Sequence, residues 1–306
     1  MRISRMKSMT VLLTAATLLA VMGWYRGAAD QVGKGTRVME NLRDDAASPG
    51  PVPVRPSLGA YDRSDTHVDF EGASDLYAYL HSLRAREAAG DPQALWNASR
   101  VLDYCAAYAS NPAGYARDSR AIQELKGAAT AAMAAARDRV SQRCRRFVPE
   151  DGLTTSALRD KRIEAARAGS LSAEAALLTM GEPLSASDDY AQDLAQRVLR
   201  SADPDAYLAI SSAMGIAASG RSDTFGRISG SQYSELAWQL AACRLGADCS
   251  AGGVLMTSYC ANGGICSRDA SQDFYTFVLD AAVPRQGADT LNEMVNSLLS
   301  ESGVSK

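Results

Sequence analysis

The sequence has few of the residues on which most enzyme active sites depend. It contains two histidines in 306 residues, His67 and His81, too few for a multi-histidine metal site and scant material for a histidine-based triad. Neither a Gly-x-Ser-x-Gly motif nor a Cys-x-x-Cys motif is present. The formal net charge of -3 provides no basic excess for binding nucleic acid. We therefore expect no catalytic residue, cofactor, metal ligand or nucleic-acid partner.

Alternation of apolar and polar residues, the pattern of half-buried strands, is nearly absent, and aromatic residues make up only 7% of the chain. Alanine, the best helix former, is abundant instead. Apolar residues recur at helical spacing from Glu71 onward, which predicts an all-α domain of about ten helices over residues 71–302. Three stripes carry this prediction: Leu76, Leu80 and Leu83; Ile122, Leu125, Ala129, Met133, Ala136 and Val140; and Tyr233, Leu236, Ala237, Leu240 and Ala241.

The first 26 residues have the pattern of a membrane-targeting segment. Basic residues within 1–7 precede an uncharged stretch at 8–25, whose 18 residues fall at the short end of a bilayer-spanning helix. A cleaved signal peptide and a retained signal anchor both fit, and Trp24, Tyr25 and Arg26 favour the anchor slightly. We expect a single N-terminal hydrophobic helix in the inner membrane, with the remainder of the chain in the periplasm.

Residues 27–70 form a polar segment in which four prolines fall close together, at positions 49, 51, 53 and 56. Such a composition is typical of an extended, semi-rigid spacer rather than of a packed domain. We therefore predict a largely disordered linker between the membrane segment and the helical domain.

Similar helix starts recur along the domain. Asp91-Pro92 and Asp203-Pro204 each place an N-cap carboxylate before a proline at the first helical position, and looser versions begin at Ser170 and Asp248. The four starts are separated by 79, 33 and 45 residues. Two of these intervals match the periods of helix-pair repeats, and the longest is about twice such a period. The spacing predicts degenerate helix pairs packed in a superhelix-like manner.

Two stretches resemble a known repeat family. Ala85–Ser99 reads Ala-Arg-Glu-Ala-Ala-Gly-Asp-Pro-Gln-Ala-Leu-Trp-Asn-Ala-Ser, and Ala166–Glu174 reads Ala-Arg-Ala-Gly-Ser-Leu-Ser-Ala-Glu. Both are similar to the Ala-Ala-x-x-Gly-[Asp/Asn]-x-x-Ala core of Sel1-like repeats, relatives of the tetratricopeptide repeat. The Gly-x-Gly-Val turn and the regular spacing of that family are missing. The resemblance implies an α-helical scaffold for protein interaction.

Six cysteines occur, an even number in a chain expected to enter an oxidising compartment, so disulfides are the default. The last four have the pattern C-x5-C-x10-C-x5-C, which favours Cys243 with Cys249 and Cys260 with Cys266 around an intervening helix. A four-cysteine zinc site is the alternative, although its paired ligands are usually two to four residues apart. Cys105 and Cys144 then pair by elimination.

The pairing of Cys105 with Cys144 creates a geometrical problem. One straight helix over 116–144 would carry Cys144 roughly 40 Å away from the level of Cys105. Either the loop at 111–114 runs back before that helix begins, or the helix breaks near Gly127, a weak helix position. We expect the returning loop.

Several polar clusters have both a functional and a plain structural interpretation. The pairs Glu71/Asp75 and Asp188/Asp189 suit either glycoside cleavage or helix N-termini, and we favour the second. A basic run at a helix end is interpreted as solvated, with an anionic lipid headgroup as the alternative. We expect His81 to be a surface or packing residue, and Trp96 and Trp238 to be core residues. The run comprises Arg137, Arg139, Arg143, Arg145 and Arg146.

These features lead to one main hypothesis and two alternatives. The main hypothesis is a membrane-tethered, envelope-facing scaffold that binds another protein through grooves between helix pairs. The first alternative is a carboxylate-dependent hydrolase of cell-wall sugar, which predicts a deep cleft with two convergent carboxylates. The second is an inhibitor or immunity-type binding protein, which predicts an exposed patch and no cleft.

Overall fold

A computed structural model of the chain describes residues 70–302, which form thirteen α-helices and three short 3₁₀ helices and contain no strand. The predicted all-α class is confirmed for this part of the chain. The targeting segment at 1–26, and the linker as far as residue 69, lie outside the described residues. Within residues 70–302, none of the helices combines the length and the apolar character needed to cross a bilayer.

The helices come in an N-terminal and a C-terminal group. The N-terminal group is α1 (Leu76–Ala88), α2 (Pro92–Ser110), α3 (Pro112–Glu124), α4 (Ala128–Cys144), α5 (Thr155–Arg167) and α6 (Leu171–Thr179). The C-terminal group is α7 (Asp188–Ser201), α8 (Pro204–Met214), α9 (Ser222–Phe225), α10 (Gln232–Leu245), α11 (Val254–Ala261), α12 (Phe274–Ala281) and α13 (Ala288–Glu301). The described residues therefore form more helices than the ten predicted. One expected helix is divided into α3 and α4, and α9 is a single turn that the prediction did not include.

The helices form a series of packed pairs, some consecutive and some separated by one or two helices. Helix α1 packs on α2, α2 on α5, α5 on α6, α6 on α8, α8 on α10 and α10 on α13. Helices α3 and α4 form a hairpin, and α4 also packs on α2 and α11. The consecutive pairs α1–α2, α3–α4 and α5–α6 are helical hairpins.

Three of the four predicted helix starts are confirmed. Asp91, Ser170 and Asp203 are N-caps, and each side chain accepts a hydrogen bond from a backbone N–H in the first turn. These bonds satisfy donors that the helix itself leaves free. The alanine three positions after each cap has no exposed surface; these alanines are Ala94, Ala173 and Ala206. The start of each helix therefore lies close to neighbouring elements.

The fourth predicted start, at Asp248, is wrong. Its carboxylate accepts hydrogen bonds from the N–H and hydroxyl of Ser250 and so forms a turn, and Gly252 follows with a left-handed φ of 75°. Helix α11 begins only at Val254. Aspartate side chains stabilise both local turns and helix N-caps, so the residue type alone does not distinguish the two.

The two stretches with Sel1-like character, 85–99 and 166–174, form nearly identical corners. Gly90 and Gly169 adopt positive φ values of 74° and 105°, which other residues rarely adopt. The residue after each glycine donates its N–H to a carbonyl five positions earlier, at 3.0 and 2.9 Å, and then caps the next helix. This glycine-terminated helix end makes both corners short, so each helix folds back on the preceding one.

The prediction of a returning loop is wrong. Instead, the helix breaks at Gly127, which was the alternative considered. Helix α3 starts at Pro112, directly after α2, and ends at Glu124, so Leu125 is 60% exposed rather than part of a buried stripe. The Thr130 hydroxyl donates to the carbonyls of Leu125 and Gly127 at 2.6 and 2.9 Å, which fixes the corner. Helix α4 then runs back and returns Cys144 to Cys105.

The three predicted disulfides are present, with Cα–Cα separations of 5.6, 5.6 and 4.4 Å in chain order. Cys105–Cys144 joins α2 to α4 across 39 residues, and both cysteines are fully buried. Cys243–Cys249 and Cys260–Cys266 each close a loop of sequence separation six. The three bonds therefore differ mainly in the length of chain that they constrain.

The buried apolar residues form three clusters, two large and one small, and we call the small cluster the bridge. One large cluster is built from Phe70 and helices α1 to α4, and the other from helices α7, α8, α10, α12 and α13. The bridge joins Leu95 and Trp96 of α2 to buried alanines and Leu177 of the α5–α6 hairpin. Helix α2 therefore contributes to two hydrophobic clusters at once.

The lengths of the loops that the disulfides close predict unequal contributions of these bonds to the stability of the fold. Replacing Cys105 and Cys144 together by alanine should lower the free energy of unfolding by about 4 kcal/mol, and replacing Cys243 and Cys249 by about 2 kcal/mol, because the longer loop restricts the unfolded chain more. Urea denaturation of the purified full-length variants measures both. Equal losses, or a larger loss for the short loop, would contradict this account.

Candidate functional site

One face of α2 forms the floor of a continuous groove. The floor residues Trp96, Arg100, Asp103, Ala107 and Ser110 follow helical spacing and cover about 21 Å at the rise of an α-helix. Two cavities of about 350 and 630 Å³ lie along this face and share Asp103 and Asn262 as wall residues. We call the combined depression the α2 groove.

Helices α6, α8 and α11 supply the walls at the Trp96 end of the groove. The wall positions mix small apolar and hydroxyl side chains, so this end offers both contact area and hydrogen-bonding groups. The residues are Ala176 and Thr179 of α6, Leu208, Ala209 and Ser212 of α8, and Val254 and Ser258 of α11.

Arg100 organises this end of the groove. Its guanidinium forms ion pairs with Glu71 and with Asp205, the latter at 3.4 Å, and lies over the ring of Phe70 at 4.1 Å. Asp205 also accepts a hydrogen bond of 2.9 Å from the indole N–H of Trp96. Trp96 is buried as predicted, yet it also lines the groove and fixes the orientation of Asp205.

The chain enters the domain beside these residues and is held there by a second arginine. Arg143 of α4 donates from Nε to the carbonyl of Ala73 at 2.9 Å and from Nη2 to the carbonyl of Phe70. Its guanidinium also lies 4.9 Å from the ring of Tyr104. Phe70, 2% exposed, is thus enclosed by arginines from α2 and α4.

Glu71 is a buried acid in this network. Burial raises the pKa of its carboxyl above the ordinary value of 4.5, and the nearby Arg100 offsets part of the increase. Its Oε2 atom is buried and has no hydrogen-bond partner among the described residues. Glu71 does not line the groove, so it is poorly placed to act on a bound molecule.

Asp103 and Asn262 line both cavities and so mark the place where the cavities meet. Asp103 accepts a hydrogen bond of 2.7 Å from Nη2 of Arg162, whose Nη1 lies 3.1 Å from the sulfur of Met180. Asn262, at the C-cap of α11, is exposed, and its side chain forms no hydrogen bond within residues 70–302. The middle of the groove therefore offers a free amide and a carboxylate that is paired with Arg162.

The second end of the groove lies between α2, α3 and α4. Arg137 of α4 lies 3.7 Å from the centre of the Tyr115 ring and donates from Nε to the Ser119 hydroxyl at 2.9 Å. Its Nη2 donates to the Tyr115 carbonyl at 3.1 Å. These contacts hold the guanidinium in the cavity wall without a carboxylate partner among the described residues.

The interpretation of the basic run as a solvated helix end needs correction. Besides Arg137 and Arg143, Arg139 donates to the Thr257 hydroxyl at 3.0 Å, and Arg146 pairs with Asp75 at 3.1 Å over the Tyr77 ring. Arg145 alone of this run is exposed without such a contact within residues 70–302. Four of the five arginines therefore tie α4 to neighbouring elements, and helical periodicity cannot reveal such distant partners.

The other candidate residues have structural surroundings. His81 stacks on Tyr77 and lies 2.8 Å from its carbonyl oxygen, so it packs as expected. Asp75 caps α1, and Asp188 and Asp189 lie in the first turn of α7, as the favoured interpretation predicted. Trp238 is 1% exposed, a core residue.

The sequence predicted grooves between helix pairs but assigned no residue to any of them, although a partial signal for this groove exists. Positions 96, 100, 103, 107 and 110 are mostly polar or small, and they recur with the period of one helix face. The walls at the Trp96 end come from α6, α8 and α11, which begin 61 or more residues after the end of α2, and no local pattern connects them with it.

No group of three or more histidine, cysteine, aspartate or glutamate side chains within residues 70–302 is arranged to hold a metal ion. In comparisons with known proteins, no family model, curated protein or solved structure matches the chain.

The raised pKa of Glu71 predicts a pH effect on stability. A carboxyl with a raised pKa binds its proton more readily in the folded state, so it lowers stability as pH rises from about 4.5 through the raised pKa. Glu71→Gln removes this titration. In urea denaturation between pH 4 and 7, the wild type should lose stability relative to Glu71→Gln as pH rises.

Asp75 provides a control of opposite sign. The N–H of Ala78 and the paired Arg146 hold the pKa of Asp75 below its ordinary value of 3.8. Its contribution is present above that value and is lost as pH falls through the lowered pKa. Relative to Asp75→Asn, the wild type should therefore lose stability on acidification; a drift in the same direction for both variants would contradict the assignment.

Proposed function

We propose that this protein is a membrane-tethered, envelope-facing scaffold whose helical domain binds an extended segment of another protein in the α2 groove. Residues 8–25 hold the chain in the inner membrane, and the domain at 71–302 lies in the periplasm. The observation that carries the proposal is the continuous groove along α2, since a scaffold of helix pairs binds its partner between helices.

The dimensions of the groove support an extended peptide as the occupant. At about 3.3 Å per residue, an extended segment of roughly six residues matches the 21 Å floor. The walls alternate hydroxyl, amide and charged groups with small apolar side chains. Polar groups of this kind suit the backbone N–H and C=O groups that an extended peptide exposes.

The helical corners support a relationship to helix-pair repeats. The two stretches that resemble Sel1-like repeats form the α1–α2 and α5–α6 corners with the same glycine and N-cap geometry. The helices that follow these corners, α2 and α6, both contribute to the groove. We propose that the domain is a degenerate superhelix of such pairs.

The described groove provides weaker support for the two alternatives. A carboxylate-dependent hydrolase needs two free carboxyl groups on either side of a substrate. Of the three acids that line the groove, Asp103 is paired with Arg162 and Asp205 with Arg100 and Trp96, so Asp118 alone is free. An inhibitor or immunity-type protein predicts an exposed patch and no cleft, whereas a cleft is present here.

Site-specific photo-crosslinking in native membranes tests the scaffold function. A photoreactive amino acid at position 262, in the groove, should capture a partner protein, whereas the same residue at exposed position 135 of α4 should not. Ala107→Arg, which fills the groove floor, should reduce the crosslink about tenfold or more because it displaces the bound segment.

Ala135→Arg is the matched control, because it adds the same side chain to an exposed helix position outside the groove. It should leave the crosslink unchanged. A partner captured equally well in the presence of Ala107→Arg would refute the groove as the binding site. If no partner is captured and the purified protein cleaves cell-wall material, the hydrolase alternative replaces the scaffold.

A further inference from the structure

The second end of the α2 groove carries a fixed positive charge. Arg137 has no carboxylate partner among the described residues, whereas Arg100 and Arg162, at the other end of the groove, are both paired with acids. Stacking on Tyr115 and the hydrogen bond to Ser119 hold the Arg137 guanidinium in place. A positioned, unneutralised guanidinium in a cavity wall is well suited to bind a carboxylate.

Tyr115 positions Arg137 in the wall of this cavity through its ring and its carbonyl. The residue is 6% exposed and lines the cavity, and its hydroxyl is buried without a hydrogen-bond partner among the described residues. Burial raises the pKa of this hydroxyl, so it keeps its proton and remains a donor. The Tyr115 ring serves as the surface on which the Arg137 guanidinium stacks.

The start of α3 adds to the positive potential. Asn111 caps this helix through Gly114, and both residues line the cavity. The first turn of a thirteen-residue helix favours a negative charge nearby. Three other charged residues line the cavity: Asp103 is neutralised by Arg162, Arg117 is exposed and adds positive charge, and Asp118 is exposed and opposes anion binding.

We propose that the Tyr115–Arg137 end of the α2 groove binds an acidic side chain, Asp or Glu, of the partner segment, and so sets the direction in which that segment lies. This inference rests on the proposed function and specifies the chemistry of the occupant. At the opposite end, Arg100 is paired with Asp205 and Arg162 with Asp103, so no unpaired arginine is left there for a second acid.

A displayed peptide library tests the proposal with the full-length protein in detergent. Random twelve-residue peptides are inserted within a coat protein, so they have no free C-terminus and every carboxylate comes from a side chain. Peptides retained by the wild type and lost with Ala107→Arg define groove binders. These binders should be enriched in Asp or Glu at one position.

A thermodynamic cycle then assigns the acid to Arg137. Changing the enriched Glu of a selected peptide to Gln should weaken binding to the wild type about tenfold, the usual effect of a charge-assisted hydrogen bond. The same change should have little effect on binding to Arg137→Gln. Arg145→Gln, an exposed arginine at the end of the same helix, is the matched control and should respond like the wild type.

A second variant tests the same charge interaction while Arg137 is kept, so the result does not depend on whether Arg137→Gln folds. Asp118 is exposed and forms no ion pair, so Asp118→Asn should not disturb the fold. Because it removes the opposing charge, it should strengthen binding of the Glu peptide several-fold and leave the Gln peptide unchanged.

The outcomes separate this inference from the proposed function. Groove binders without an acidic preference, or a Glu-to-Gln penalty that persists in Arg137→Gln, would overturn the inference and leave the scaffold function standing. Failure to obtain any binder that Ala107→Arg displaces, together with the absence of a crosslink at position 262, would overturn both.

Discussion

The fold and the groove both depend on which residues of helix α2 are buried in each of two hydrophobic clusters. Helix α2 buries Ala94, Ala98 and Cys105 against the N-terminal cluster and Leu95 and Trp96 against the bridge to the α5–α6 hairpin. Trp96 belongs both to the bridge and to the floor of the α2 groove, and the other floor residues follow it along the same side of the helix. The packing of α2 in two hydrophobic clusters therefore also determines which of its side chains face the groove.

The sequence predicted those features that are determined by a few consecutive residues. Helical class, three N-caps and the two local disulfides follow from spacing and from the side chains of short segments. Local chemistry also caused the errors. Asp248 forms a turn with Ser250 where a helix start was expected, and a Thr130 hydroxyl bound to two carbonyls stabilises a break that periodicity did not reveal.

The site itself could not be predicted, because its residues derive their roles from partners far away in the chain. Arg139 and Arg143 appear in sequence as part of a basic run at a helix end, yet they donate to Thr257 and to the carbonyls of Phe70 and Ala73. Arg137 instead contacts the preceding helix, through the Tyr115 ring and carbonyl and the Ser119 hydroxyl, and has no carboxylate partner within residues 70–302. That difference, which carries the functional proposal, is a property of the assembled fold and of no sequence window.

The attachment of Phe70 has a mechanical consequence. The two arginines around its ring come from α2 and α4, and the Cys105–Cys144 bond joins these same two helices covalently. Any tension on the chain ahead of Phe70 is therefore transmitted first to a cross-linked pair of helices, and α1 is not peeled away turn by turn. The domain can carry a load at its point of entry while the groove beside that point keeps its shape.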